Sequence, residues 1–205
     1  MGSVGVFKSI PGNYTNIDSN IPKDSMAYKA MSEAQNFIIK QWGKDIVNNT
    51  EIVLSDKRTS GERMYYDGTN NSIIVFKSEL NDFNKSYVRG ASDIIHEYGH
   101  ALEQYIMSKE EWTSVSKHKD KMKSFISDVS KDSGIKLTQN KIKELFGNYA
   151  TKNGNEEFLS MTLQKGYENN YHLNTSITSK HIINRERQKV YNSVVKLLKQ
   201  KITEL

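Results

Sequence analysis

Residues 96 to 100 read HEYGH, two histidines four positions apart with a glutamate directly after the first. On a helix, side chains at i and i+4 share one face one turn apart, so His96 and His100 can both offer a ring nitrogen to a single ion. Zinc suits such a pair: it accepts neutral imidazole, and in catalytic sites it takes three protein ligands and leaves a fourth position for water. Glu97 then stands where a general base is needed. It can take a proton from a water whose pKa the metal lowers to around 7 and later pass that proton to a leaving amine. The plain alternative is an amphipathic helix that carries two histidines by coincidence. Two imidazoles on an apolar face are costly to bury without partners, which argues for a shared ion. Gly99, inside the motif, costs a helix about 0.5–1 kcal/mol relative to Ala, and its small side chain would let another segment approach the metal.

A catalytic zinc needs one more ligand, and with no cysteine in the chain it must be His, Asp or Glu. The other histidines are His118, in a lysine-rich helical stretch, and His172 and His181, which flank the loop YHLNTSITSKH. A surface position is expected for each. A carboxylate is the better candidate, and NYATKNGNEEFLSMTLQ is where to look, because Glu156 and Glu157 open an apolar helix there. Either could be the ligand, while the other complements the helix dipole in its first turn.

These groups need a scaffold, and hydrophobic spacing supplies its outline. After a loose segment over residues 1–22, Asp24 or Ser25 can cap a first helix whose Met26, Ala30, Ala34, Phe37, Ile38 and Trp42 recur at helical spacing, with Gly43 as a stop. TEIVLSD is a short β-branched run, and GERMYYDGTNNSIIVFKS holds two more strand-like runs joined by an Asp, Gly and Asn turn signal. From Ser86 onward nearly everything is helical. Val88, Ala91, Ile94, Ile95, Tyr98, Leu102, Tyr105 and Ile106 form a stripe broad enough for a buried helix around HEYGH. Further helices follow to the end, one of them capped by Thr138. With no internal repeat and no low-complexity linker, the 205 residues read as one α+β domain.

Composition excludes several other classes. A chain with 36% hydrophobic and 10% aromatic residues and two prolines has the apolar groups that disordered chains lack. No apolar run is long enough to cross a bilayer, and the opening residues lack the pattern of a signal peptide, so a soluble chain without an export signal and without a membrane partner is expected. The formal charge of +5, from 29 basic against 24 acidic residues, is spread along the chain. The densest basic stretch, SVSKHKDKMKSF, alternates with Val115, Met122, Phe125 and Ile126, which reads as the solvated face of a helix and argues against nucleic acid as a partner. Nothing in the sequence sets an oligomeric state.

HEYGH followed by YATKNGNEEFLSMTL resembles the gluzincin zinc metallopeptidases of the anthrax lethal factor and Pro-Pro endopeptidase type, and also toxin-like zincin domains. The resemblance runs from about Arg63 to Tyr167 and is specific at the motifs. It implies a zincin-like α+β fold, with a small mixed or antiparallel sheet of about three to four strands packed against the active-site helix and a helical C-terminal part. It also implies one zinc ion on His96, His100 and a glutamate opening an aromatic-rich turn, for which Glu157 fits better than Glu156. Glu97 matches the general base, and Tyr149 matches a tyrosine that stabilises the oxyanion. Counted from Glu157, Tyr149 lies one residue farther upstream than the family spacing, which Glu156 would restore, so Glu156 is the second choice. A further acidic residue that the family often places one turn after the ligand is absent, since Ser160 and Met161 stand there. Asp93 or the other glutamate would then orient the histidines. The strand-like run NSIIVFKS is the expected edge on which an extended peptide or protein substrate docks through main-chain hydrogen bonds.

Residues and resemblance together lead to a zinc-dependent metalloendopeptidase, and the resemblance admits a secreted or toxin-type effector without fixing where the chain acts. The alternative is a catalytically inactive zincin-fold binding or structural module. Glu97 argues against that, because a structural zinc site is usually closed by four protein ligands and needs no base beside it.

Overall fold

The structure, a computed structural model, describes residues 16–57, 63–170 and 179–205. They fall into two compact units, the first ending at Ala101 and the second beginning at Leu102. The whole is α+β with one small mixed sheet. Among the described residues no helix is long and apolar enough to cross a membrane.

In the first unit, helix α1 (Met26–Trp42) starts where the Ser25 hydroxyl accepts a hydrogen bond from the Tyr28 N–H and stops at Gly43, whose φ of 86° suits a residue without Cβ. Its inner face is Ala27, Ala30, Met31, Ala34, Ile38 and Trp42, whereas Met26 is exposed. After the short helix α2 (Asp45–Asn48) come strands β1 (Glu51–Ser55), β2 (Met64–Asp67) and β3 (Ser72–Phe76). β2 and β3 form an antiparallel hairpin. The Asp67 carboxylate accepts from the Thr69 N–H at 2.9 Å and the Asn70 amide at 2.8 Å, and Asn71 takes the left-handed conformation that closes the turn.

The strand order is β1-β3-β2, with β1 parallel to β3. This corrects the expectation that NSIIVFKS offers a docking edge. β3 is the central strand, hydrogen-bonded on both sides, so no peptide can add to it. Physically, Ile73, Val75 and Phe76 are the most apolar part of the sheet, and the central position is the one that buries both flanks of a strand. Among the described residues the edges belong to β1 and β2.

Nor is the N-terminal stretch loose throughout. Residues 1–15 lie outside the described residues, but Ile17 bridges Ile52 in parallel, and Ile21 is buried. Asp18 strengthens this attachment: its carboxylate accepts from the Leu54 N–H at 3.1 Å and from the Asn20 N–H at 2.9 Å. Partial burial pushes the Asp18 carboxyl upward, yet the Asn20 and Leu54 N–H groups, the Asn20 amide and the nearby Lys77 outweigh it and hold the pKa below its ordinary 3.8. A depressed native pKa means that the ionised form is favoured by folding. Its stabilisation is therefore complete above 3.8 and is lost as pH falls below that value through the native one. Asp18→Asn should cost about 1 kcal/mol near neutral pH, with the gap from wild type closing on acidification below 3.8, as urea melts across pH would record.

A 3-10 segment (Lys77–Glu79) and helix α3 (Leu80–Phe83) lead into the long helix α4 (Tyr87–Ile106). Ala91, Ile94, Ile95, Tyr98 and Leu102 of α4 are fully buried, as their spacing predicts. The buried Tyr98 hydroxyl accepts a hydrogen bond from the Gln35 amide of α1 at 3.3 Å. Near its start, α4 passes so close to α3 that a Cβ on Gly90 would lie 2.2 Å from the Phe83 ring. Gly90→Ala should destabilise the protein by about 1–3 kcal/mol, measurable by chemical denaturation, because Phe83 is itself buried and must move.

The second unit is helical. Helix α5 (Lys109–Thr113) opens with a capping box in which Ser108 and Glu111 satisfy each other's backbone N–H groups. Ser114 separates it from helix α6 (Val115–Ser133), which ends at Gly134 in the left-handed conformation. Helix α7 (Gln139–Phe146) is capped by Thr138 as expected. A 3-10 segment (Asn148–Gly154) then precedes helices α8 (Phe158–Asn170) and α9 (Ser179–Thr203). α8 packs on α9, where Val190, Val194 and Leu198 are fully buried but Ile182 is exposed.

Candidate metal centre

The buried stripe of α4 fixes the orientation of its other faces. Asp93, His96, Glu97 and His100 fall at i, i+3, i+4 and i+7, so all four lie along one face beside that stripe. The His96 and His100 rings stand edge to face, with centroids 5.3 Å apart. Glu97 is only 8% exposed and Gly99 is buried.

Glu157 is set by a different local device. Asn155, two residues before it, takes a left-handed conformation with φ of 75°, which apart from Gly is found mostly for Asn and Asp. Its side chain is buried and accepts a hydrogen bond from the Gln139 amide of α7 at 2.8 Å. Immediately after it, Phe158 is buried edge to face against Phe146. Glu157 is thus held between a hydrogen-bonded turn and a packed ring, in the turn ahead of α8 rather than inside its first turn. Its carbonyl accepts the Met161 N–H at 2.9 Å.

One donor atom from each of His96, His100 and Glu157 lies within 4.8 Å of the other two, and all three residues are half-buried. Donors bound to one tetrahedral ion at about 2.1 Å stand about 3.4 Å apart, and this trio is a group that could hold a metal ion. Two imidazoles and a carboxylate are a donor set that suits zinc, and three protein ligands leave a fourth position open. Glu156 is not part of the trio. Of the two glutamates, Glu157 is the one with a carboxylate oxygen in this group.

The remaining candidates divide. Tyr149 lies on the 3-10 segment before Glu157, 42% exposed, with the Lys152 ammonium 5.0 Å from its ring centre. His118, expected at the surface, is instead 6% exposed. Its Nε2 sits 3.4 Å from a carboxylate oxygen of Glu103, itself 1% exposed, and its ring stands edge to face on Trp112. A carboxylate within reach is what makes that imidazole tolerable in the interior, and no spacing in the sequence announced the pair. His172 lies outside the described residues, as does the side chain of His181.

Sequence reasoning also missed the surroundings of Asp93. Arg63, the residue before β2, places a guanidinium nitrogen 3.7 Å from the Asp93 carboxylate while bonding Glu79 and Asp82. Residues 63, 79, 82 and 93 share no motif, so only the folded chain could reveal this.

Protein-family models, curated proteins and solved structures yielded no match to this chain. The functional reading therefore stands on the site's own chemistry.

Proposed function

We propose that the chain is a zinc-dependent endopeptidase of zincin-like fold, with His96, His100 and Glu157 as the metal ligands and Glu97 as the general base. The observation that carries this reading is the convergence of the three donor atoms, because Glu157 is remote in sequence from the HEYGH motif and had no local reason to meet it. A carboxylate from a distant part of the chain beside the two histidines supports a shared ion over a chance pair of helical histidines.

Zinc, when bound, would lower the pKa of water and polarise a scissile carbonyl. The residues do the rest. Glu97, next to the first ligand and largely shielded from bulk solvent, takes the water proton and returns it to the leaving amine. Tyr149 is proposed to donate a hydrogen bond to the developing oxyanion, which its exposed position leaves it able to do on meeting substrate. The substrate is an extended peptide or protein segment. With β3 interior, β2 is the strand proposed to carry it by main-chain pairing, since β1 already takes the Ile17 bridge on its outer side. A secreted or toxin-type effector is the setting proposed for such an activity.

The test is cleavage-site profiling on a peptide library with zinc-loaded protein, repeated after chelation and after zinc is restored. Turnover that vanishes with chelator and returns with zinc is the expected result. Turnover indifferent to chelation would remove the metal from the mechanism.

A further inference from the structure

We propose that Arg63 is a positioning residue that couples the edge strand β2 to the helix of the metal ligands and so sets where an extended peptide lies relative to Glu97. The inference rests on the peptidase reading above, and on three contacts made by one guanidinium. Its Nε donates to Glu79 at 2.9 Å and a terminal nitrogen donates to Asp82 at 2.7 Å. The other terminal nitrogen lies 3.7 Å from Asp93.

Each partner belongs to a different element. Glu79 closes the 3-10 segment after β3, Asp82 is on α3, and Asp93 is on α4 at the face that carries His96, Glu97 and His100. Arg63 itself adjoins the first residue of β2. A planar fork with donors in fixed directions can hold three such partners at once, whereas a lysine ammonium acts as a point charge. Glu79 is 7% exposed, which anchors one prong of the fork in the interior, and the Glu79 hydrogen bond raises the guanidinium's already high pKa, so it stays charged. Asp82 is also gripped by Lys85 at 2.6 Å, which fixes the second prong. The third prong is the one that reaches the metal-ligand helix. Half-exposed ion pairs of this kind add little to stability, so the value of the arrangement is geometric.

Arg63→Ala and Arg63→Lys in the full chain, loaded with zinc, test this. Three quantities are needed: zinc affinity by chelator competition, KM and kcat on the best peptide from the library, and amide hydrogen exchange along Met64–Asp67. Both variants should raise KM about tenfold with a smaller change in kcat, because a misplaced docking strand weakens alignment more than chemistry. Zinc affinity should hold, and exchange at β2 should quicken. Failure of lysine to restore KM separates geometry from charge. An unchanged KM with unchanged exchange would overturn the proposal, as would a joint fall in zinc affinity and melting temperature, which marks a general structural role. If the wild-type protein cleaves no peptide, the peptidase reading fails separately, and hydrogen exchange still decides whether Arg63 holds β2.

Discussion

Glu97→Gln should lower peptide hydrolysis by about 10²–10⁴-fold while zinc remains bound. The substitution keeps the size and hydrogen-bonding reach of the side chain but removes its ability to accept a full proton. Because Glu97 is largely buried beside His96 yet is not one of the three converging donors, its loss should leave the ligand set intact. Parallel measurement of turnover and of bound zinc by elemental analysis checks both halves. Zinc retained with activity lost is the expected pattern. Activity that survives would end the general-base assignment, and zinc bound to a wild-type protein that cleaves nothing would favour the binding-module alternative.

Glu157→Ala should weaken zinc binding by more than 100-fold, whereas Glu156→Ala should leave it nearly unchanged. Loss of a residue that only orients a ligand typically costs about 10–100-fold, so loss of a ligand itself should exceed that range. The difference between neighbours follows from the turn that presents them. Asn155 in its left-handed conformation and buried Phe158 flank the pair, and Glu157, not Glu156, has a carboxylate oxygen grouped with the histidine nitrogens. Chelator competition on the two variants reads the contrast directly. The reverse order would move the ligand to Glu156, the residue that the Tyr149 spacing favoured.

How far the chain could be read in advance varied with the range of the interactions involved. α1 with its Ser25 cap and Gly43 stop, the β2–β3 hairpin and the stripe of α4 were legible, because caps, turn residues and periodicity act over a few neighbours. The pairing of β1 with β3 was not. Strand order depends on which run buries both flanks, and that is a property of the assembled sheet. His118 illustrates the same limit from the other side: its lysine-rich neighbours suggested solvent, yet Glu103 and Trp112 enclose it. Helical periodicity marks an inner face but not what a polar residue on that face will meet there.

The centre shows the division most sharply. By itself, the sequence determined that His96 and His100 share a helix face with Glu97 alongside, because an α-helix turns 100° per residue and spacing alone sets the alignment. It offered two adjacent glutamates as the third candidate donor, and the family resemblance ranked Glu157 ahead of Glu156. Only the tertiary structure gathered Glu157 with the two histidines into one donor group, and only it joined Arg63 to Asp93, because these contacts link residues tens of positions apart and depend on packing, which no local pattern encodes.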